Sequence, residues 1–465
     1  MKRLMDWHLQ QWKIGRHRKP LLLRGARQVG KTFAARKLGE SFDHFVEVNF
    51  EYLKETKKIF DKDLRPERLV QELSILLSQD IVPGSTLLFF DEIQECHEAL
   101  KSLRYFYEVM PSLHVLAAGS LLDFAIEKIG IPVGRVESLY CYPLSFFEFL
   151  AATGHSQLAG SILEHSNLEP IAEVVHQKTL ELVGHYLAIG GMPEVVARWI
   201  ESRNPRECFS IFQRLIDTYR QDFGKYSKEH QVKYVTELFN EMPRQIGKQF
   251  KYSAIHGEYK KRELAPGLDL LCTANIVHKI HHTAGHGLPL GAESKPEWFK
   301  ILFLDIALCQ SILGLNLGSW LLDPHHEFVN RGAIAEAFVG QELLCYASPY
   351  RKQELYFWKK GDQQAQAEID FLFEHQGAII PLEVKSGDGR TLKSLHLFLQ
   401  THCTSPYGIR FSVQNYSRLD HIFSRPLYDI VSLAHEDQKE SLFHLVASTG
   451  NSIRNIHKEL KELEP

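Results

Sequence analysis

The sequence predicts a multidomain α/β protein whose first domain is built on a parallel sheet. Two apolar runs, at 21–23 and 86–90, have the length of a buried strand, and each is followed by glycine-rich or charged residues. A helix-like segment at 32–38 follows the first run, as in a strand–turn–helix unit. From 146 to 222, apolar residues recur at three- and four-residue steps, which predicts a series of helices. The 465 residues suffice for several domains.

The composition is typical of a soluble globular protein, with 44% apolar and 24% charged residues. A formal net charge of −3 gives no overall field towards nucleic acid or membrane, so such binding needs a local patch. The seven cysteines include no Cys-x-x-Cys pair, which favours free thiols in a reducing compartment over disulfides or a zinc site. No apolar stretch has the length of a membrane span or of a signal-peptide core. We therefore expect a cytoplasmic protein with no membrane partner.

The most specific motif is the run Gly25-Ala26-Arg27-Gln28-Val29-Gly30-Lys31-Thr32. It fits the phosphate-loop pattern and lies between a predicted strand and a predicted helix, which is the context that this pattern requires. Its glycines allow a close approach to phosphate, and the N–H groups that open the helix point at a bound anion. Lys31 is expected to reach the β- and γ-phosphates and Thr32 to ligate Mg²⁺, so ATP and Mg²⁺ are the predicted cofactors. The alternative is a glycine-rich turn with no ligand.

The second apolar run ends in two adjacent carboxylates, Asp91 and Glu92. Ligands collect at the carboxyl ends of strands in open α/β sheets, so we expect Asp91 to hold Mg²⁺ and Glu92 to deprotonate the attacking water. Ser120 follows the next apolar run and is our candidate for contact with the γ-phosphate or the water; a simple Gly-Ser turn is the alternative. Arg135 is either a charge donor to the γ-phosphate of a neighbouring subunit or a surface arginine in a turn.

Residues 1–145 resemble an AAA-type ATPase domain. Nearly the whole chain resembles a prokaryotic ATPase family in which such a domain is joined to a C-terminal domain related to the PD-(D/E)XK nucleases. Besides the phosphate loop, the resemblance rests on FFDEIQ at 89–94, AGSLL at 118–122, PVGR at 132–135, YPLSF at 142–146, GGMPE at 190–194 and EVK at 383–385. It implies an AAA-type parallel-sheet ATPase domain (1–145), a helical lid (146–227), a winged helix (228–296) and a restriction-endonuclease-like α/β domain (297–432). The remaining residues, 433–465, form a charged tail with a helical pattern.

The lid of such a family covers the nucleotide, and lid arginines can sense the γ-phosphate. Arg198, Arg214 and Arg220 are the candidates here, and the sequence does not choose among them or separate them from solvated helix residues.

The segment 228–282 has the outline of a winged helix, with three short helical patterns before an apolar, strand-like segment. Between 243 and 262 a single acid, Glu258, stands against six basic residues, Arg244, Lys248, Lys251, Lys260, Lys261 and Arg262. Such a patch can neutralise DNA phosphates. A solvated face or a winged helix that docks on protein is the alternative.

Further on, two predicted strands carry Asp370 and the pair Glu383 and Lys385, which share one face of their strand. This Asp…Glu-x-Lys cluster suits metal-dependent phosphodiester hydrolysis, with Asp370 and Glu383 holding the metal and Lys385 positioning water. A helix at 333–346 brings Glu336, which the PD-(D/E)XK resemblance adds as a further carboxylate. Ile369 stands where that family has proline. A fold of this kind can also persist while its site only makes contacts.

Three functions follow from these features. The first is an ATPase, working as a homo-oligomer with an arginine supplied in trans, that couples ATP turnover to DNA binding or remodelling. The second is an ATP-regulated, metal-dependent nuclease. The third is a nucleotide-dependent switch acting on a protein partner. The basic residues at 243–262 favour the first two, and the near-neutral overall charge leaves the third open.

Overall fold

The computed structural model describes residues 1–132, 134–314, 318–323, 327, 331–361, 367–386 and 392–447. Val133, in the loop that leads to Arg135, and the closing run of the tail at 458–464 lie outside these residues. The described part holds two sheets, one of five strands and one of eight.

The first sheet has the strand order β2-β3-β4-β1-β5. Its strands are β1 (Leu21–Arg24), β2 (His44–Asn49), β3 (Thr86–Asp91), β4 (His114–Ala118) and β5 (Glu137–Tyr140). Every neighbouring pair is parallel, which confirms the predicted parallel sheet. Because the strands are parallel, the residues that follow them meet at one edge.

The two faces of this sheet belong to different apolar clusters. Along β1, Leu21 and Leu23 pack into one cluster and Leu22 into the other, as strand alternation requires. Helices α1 (Leu4–Ile14) and α2 (Lys31–Gly39) cover the first face. Helices α3 (Pro66–Leu77) and α4 (His97–Val109) cover the second, and α5 (Leu122–Ile129) follows β4. Burial on both faces explains why these strands are continuous apolar runs.

The predicted helical segment after residue 145 is confirmed as five helices. These are α6 (Phe146–Ala152), α7 (Ser156–Leu163), α8 (Glu173–Ile189), α9 (Pro193–Ser202) and α10 (Pro205–Tyr226). Pro193 and Pro205 occupy first-turn positions, where a missing N–H costs no hydrogen bond. The helices share one apolar cluster with α1, α2 and the residues of the first face of the sheet.

Helices α11 (Glu229–Glu241) and α12 (Lys261–Thr273) are followed by an antiparallel hairpin of β6 (Val277–Thr283) and β7 (Ser294–Phe303). The domain boundary expected after residue 296, at the end of the winged helix, is wrong because residue 296 lies inside β7. The physical reason is that β6 also pairs in parallel with β8 (Leu355–Lys359), so the hairpin is built into the second sheet. That pairing joins residues 75 positions apart, such as Ile280 and Leu355, and leaves no local signal.

The second sheet has the order β12-β13-β11-β10-β9-β8-β6-β7. Its remaining strands are β9 (Glu368–His375), β10 (Ala378–Lys385), β11 (Gly408–Ser412), β12 (Ser417–Leu419) and β13 (Ile422–Pro426). The helices of this part are α13 (Ile306–Ile312), α14 (Gly318–Leu322), α15 (Gly332–Cys345), α16 (Lys393–Thr401) and α17 (Glu436–Val446). Among the described helices none combines the length and apolar character needed to cross a membrane.

Candidate functional site

The loop between β1 and α2 forms the turn that its glycines allow. Gly25 has φ +131° and Gly30 has φ +95°, both in the region that favours glycine. A Cβ at Gly25 would lie 2.2 Å from the carbonyl oxygen of Cys141, so a larger residue there would displace the loop from its neighbouring strand. Gln28 also has a left-handed backbone, with φ 65°. The loop is therefore tightly shaped at several positions before any ligand binds.

Lys31 begins α2 and lies inside this loop, with 7% of its surface exposed. Its ammonium group donates to the carbonyl oxygens of Gly25, at 2.9 Å, and Ala26, at 2.6 Å. Burial lowers the pKa of Lys31. The backbone thus keeps the side chain folded over the loop, where it is ready to turn to a phosphate.

Asp91 ends β3 directly opposite this loop. Its two carboxylate oxygens lie 3.2 and 3.4 Å from the hydroxyl of Thr32, which donates to them. Burial, and then the nearby charge of Glu92, raise the pKa of Asp91 to about 6. The side-chain amide of Asn49 donates to Oδ2 at 3.0 Å. Sequence reasoning missed Asn49, although a polar residue at the end of a neighbouring strand was a usable signal.

Glu92 lies just beyond the strand with a left-handed backbone, φ 50°. Its Oε2 accepts three hydrogen bonds: from the backbone N–H of Ser120 at 3.2 Å, from the Ser120 hydroxyl at 3.1 Å, and from Nε2 of Gln94 at 2.6 Å. The structure therefore brings Ser120 to the predicted base. Gln94 was missed as a partner of Glu92, even though it stands two residues further along the chain.

A cavity of about 510 Å³ is lined by Lys31, Thr32, Asp91, Glu92 and Ser120. The opposite wall comes from Pro193, Glu194 and Ala197, at the start of α9, and from the chain's first residues, including Met1 and Asp6. The GGMPE segment at 190–194 thus contributes directly to the site.

Arg3 also lines the cavity and was missed by sequence reasoning. It donates to the carbonyl oxygen of Val29 in the loop at 3.2 Å, to that of Tyr142 at 2.8 Å, and to Oε1 of Glu148 on α6 at 2.8 Å. No local pattern could have revealed it, because it joins residues more than a hundred positions apart.

The predicted arginines lie at different places. Arg135 is 44% exposed and pairs with Glu108 of α4 at 3.1 Å. Arg214 pairs at 3.2 Å with Glu194, which lines the cavity. Arg198 pairs with Glu201 and Glu207, whereas Arg220 pairs with Asp217 and donates to Asn240 of α11. Of the three lid candidates, Arg214 therefore has the direct link to the cavity wall.

All six basic residues predicted to bind DNA are exposed. Two of them have a carboxylate nearby, Arg244 with Glu241 at 3.6 Å and Lys261 with Glu297 at 3.5 Å. The segment that carries Lys248 and Lys251 is anchored from within, since Phe250 donates its backbone N–H to Phe299 of β7 at 2.8 Å. Its charges thus point outward from a fixed segment.

The Asp…Glu-x-Lys residues lie near one another, with an additional lysine among them. Lys300 of β7 is 1% exposed and pairs with Glu336 at 2.8 Å, with Glu368 at 2.6 Å and with Asp370 at 3.7 Å. Lys385 pairs with Oε1 of Glu383. The Asp…Glu-x-Lys motif does not include Lys300, because the strand that carries Lys300 lies far upstream in the chain.

This cluster has features that favour a divalent cation and features that oppose one. Oε2 of Glu383 is buried without a hydrogen-bond partner among the described residues, which favours a bound cation. Against this, the ammonium of Lys300 already lies among three of the carboxylates. In the described part of the chain, no three His, Cys, Asp or Glu side chains are arranged to hold a metal ion. As arranged, the cluster does not fit a metal site.

The residues around the loop do fit a bound triphosphate and its Mg²⁺. The cavity borders Lys31, Thr32, Asp91 and Glu92 together, and the hydroxyl and carboxylate oxygens of Thr32 and Asp91 are the hard ligands that Mg²⁺ prefers.

Residues 17–150 match an AAA domain. The same comparison matches residues 180–318 to a domain of unknown function (DUF8612) and residues 331–429 to another (DUF4143). The AAA match covers the five-stranded sheet and its loop, and it supports nucleotide binding there. A comparison with curated proteins finds no match.

Several solved structures are similar to the chain. The Walker-type ATPase PABY2304 of Pyrococcus abyssi is 14% identical, with 66% of this chain and 95% of that chain covered and a TM-score of 0.42. The ORC1 protein of Aeropyrum pernix in complex with DNA is 14% identical over 67% of this chain and 90% of that chain, with a TM-score of 0.29. PCH-2 of C. elegans is 14% identical over 44% and 62%, with a TM-score of 0.25.

Proposed function

We propose that the protein binds ATP with Mg²⁺, hydrolyses it, and couples this turnover to DNA binding or remodelling. The observation that carries the proposal is that Lys31, Thr32, Asp91 and Glu92 border a single cavity at the carboxyl edge of the parallel sheet. Lysine, hydroxyl and two carboxylates at this place are the groups that phosphoryl transfer to water requires.

Each residue has one role in this proposal. The N–H groups at the start of α2 and the ammonium of Lys31 bind the phosphates, while Thr32 and Asp91 hold Mg²⁺, which neutralises phosphate charge. Glu92 orients a water and takes its proton. Ser120 now donates to Glu92, and it is placed to exchange that contact for the water or the γ-phosphate.

We also propose that the protein works as a homo-oligomer. In its own subunit Arg135 pairs with Glu108 and is partly exposed, so it is available to a neighbouring copy. Supplied in trans, its guanidinium would stabilise charge at the γ-phosphate.

The DNA part of the proposal rests on the six exposed basic residues at 244–262. Helices α11 and α12 with the β6–β7 hairpin have the element order of a winged helix, which supports this interpretation. Contacts of this kind bind through phosphate charge and depend on salt.

We expect single-stranded, duplex or four-way DNA to stimulate ATP hydrolysis, less so at about 0.2 M salt than at low salt. Changing four basic residues to alanine should abolish the stimulation and reduce the salt slope of DNA affinity by roughly 3 to 4, since each phosphate contact contributes about 0.9. The residues to change are Lys248, Lys260, Lys261 and Arg262. Steady-state hydrolysis and fluorescence anisotropy measure both effects.

The matched control neutralises four exposed lysines of the first domain, Lys54, Lys58, Lys62 and Lys101. It should leave stimulation intact. A hydrolysis rate that stays flat with every DNA would contradict the coupling and favour a switch that acts on a protein partner.

Nuclease activity is the second candidate function, favoured by Oε2 of Glu383, which has no hydrogen-bond partner in the described part of the chain. We nevertheless expect no Mg²⁺- or Mn²⁺-dependent cleavage of DNA or RNA, because a divalent ion would have to displace the buried ammonium of Lys300. Gel assays on single-stranded, duplex and branched substrates check this. Cleavage that is lost in Asp370→Ala or Lys385→Ala would show that the expectation is wrong.

A further inference from the structure

Arg27 is the one charged side chain of the phosphate loop besides Lys31, and it connects the loop to α10. Arg27 lines the cavity, and its guanidinium pairs with Asp222 of α10. Its carbonyl oxygen accepts a hydrogen bond from the hydroxyl of Tyr219, one turn earlier on the same helix, at 2.8 Å. The side chain of Arg27 is 29% exposed and that of Asp222 is 9% exposed. The guanidinium therefore stands between a buried carboxylate and the space for phosphates.

Asp222 has a second cation within reach. Lys225, one turn further along α10, lies 3.4 Å from Oδ1 of Asp222 and 3.7 Å from Oε1 of Glu51. If Arg27 moves away, the carboxylate of Asp222 still faces a positive charge. This matters because a buried carboxylate left without any partner would oppose the movement.

Helix α10 leads from the phosphate loop towards the basic segment. At its end Tyr226 stacks on Phe124 of α5, with ring centroids 4.7 Å apart. Nη2 of Arg220 donates to Oδ1 of Asn240 at 2.8 Å, which ties α10 to α11 directly before residues 244–262. The helix that pairs with Arg27 is therefore also the helix that contacts α11, the element that adjoins the proposed DNA contacts.

We propose that Arg27 is a nucleotide-sensing residue that pairs with Asp222 in the nucleotide-free protein and turns to the terminal phosphate when a nucleoside triphosphate binds, releasing Asp222, near the end of α10, from the loop. The inference rests on the proposed function, since it needs ATP in the same cavity. A guanidinium forms forked, charge-assisted hydrogen bonds with phosphate as well as with carboxylate, and the terminal phosphate carries more charge. The contact exists with ATP and not with ADP, so the two nucleotides differ in their effect on α10.

The test uses the full chain carrying Glu92→Gln, so that ATP persists during measurement. Asp222→Asn should tighten ATP binding about fivefold, because the amide no longer competes for the guanidinium, and should change ADP binding less. Arg27→Ala should weaken ATP binding more than ADP binding. Calorimetry gives the affinities, and hydrogen–deuterium exchange of α10 and α11 reports release.

We expect ATP, but not ADP, to raise exchange at α10 in the parent. Asp222→Asn should show raised exchange without nucleotide, and Arg27→Ala should lose the dependence on ATP. Asp217→Asn is the matched control, since Asp217 lies on the same helix, is 65% exposed and pairs only with Arg220 among the described residues. It should behave as the parent does.

A purely structural ion pair would give another result: Asp222→Asn and Arg27→Ala would weaken ATP and ADP alike, and that would overturn the proposal. Unchanged exchange in the parent on ATP binding would also overturn it. If the circular dichroism spectrum of Asp222→Asn shows that this variant does not fold, Arg27→Ala alone distinguishes nucleotide sensing from a purely structural ion pair. Failure of the proposed function is distinguishable, because the parent would then bind ATP no better than Lys31→Ala.

Discussion

Replacing Glu92 with glutamine should lower the rate of ATP hydrolysis by about 100- to 10,000-fold, the usual range for a lost general base. ATP should still bind, because the loop, Lys31 and Thr32 are unchanged. Glutamine keeps the size of the side chain and can still meet Ser120 and Gln94, but it cannot take a proton from water. Single-turnover hydrolysis and calorimetric ATP binding, measured on the same preparation, separate the two effects.

The matched control is Glu95→Gln. Glu95 lies three residues further on, is about half exposed and pairs with Lys57 at 3.3 Å, away from the residues that border the cavity. Its substitution should leave both binding and hydrolysis near those of the parent. If Glu92→Gln hydrolyses ATP at the parent rate, Glu92 is not the base and the mechanism proposed for this site is wrong.

Replacing Lys300 with methionine should destabilise the protein by about 3 to 5 kcal/mol, the range observed when one partner of a buried ion pair is removed. Lys300 is 1% exposed and is the shared partner of Glu336, Glu368 and Asp370. Burial by itself would lower the pKa of Lys300, yet the carboxylates, Glu336 foremost, raise it well above its ordinary value. Methionine fills similar space and removes the cation that the three carboxylates share, which leaves, among the described residues, only Glu368 paired, with Lys359 at 3.6 Å.

Urea unfolding, followed by circular dichroism and tryptophan fluorescence, measures this loss. Lys295→Met is the control: Lys295 lies on the same strand, but it is exposed and rests on the ring of Trp298. Its effect should stay within about 0.5 kcal/mol. A Lys300→Met variant as stable as the parent would mean that the carboxylates are neutralised in another way, and it would remove the main objection to a metal in the cluster.

Much of the nucleotide site could be predicted from the sequence because its parts are local. The loop at 25–32 and the pair Asp91 and Glu92 each follow an apolar strand, and a parallel sheet brings such positions to one edge. Ser120 was found by the same reasoning and lies beside Glu92. Asn49 obeys this rule too, so a stricter application would have found it.

The domain boundary and the character of the carboxylate cluster could not be predicted from local sequence. The division expected at residue 296 is wrong because strand pairing is decided by burial across the whole sheet, and β7 continues through that position. The Asp…Glu-x-Lys pattern was visible, yet its character depends on Lys300, which the pattern does not contain. A short motif fixes which side chains point the same way along one strand, but not which charge arrives from another.

The sequence by itself determined the strand–loop–helix unit, the parallel sheet and the groups suited to a triphosphate, since these follow from spacing and residue type over a few positions. Only the tertiary structure decided that Arg3 supports the loop, that Asp222 holds Arg27, and that Lys300 lies among the carboxylates. The physical reason is that these hydrogen bonds and ion pairs form between groups that packing brings together from distant parts of the chain. Charge attraction depends on the distance between groups in space, so it produces no periodic pattern in the sequence.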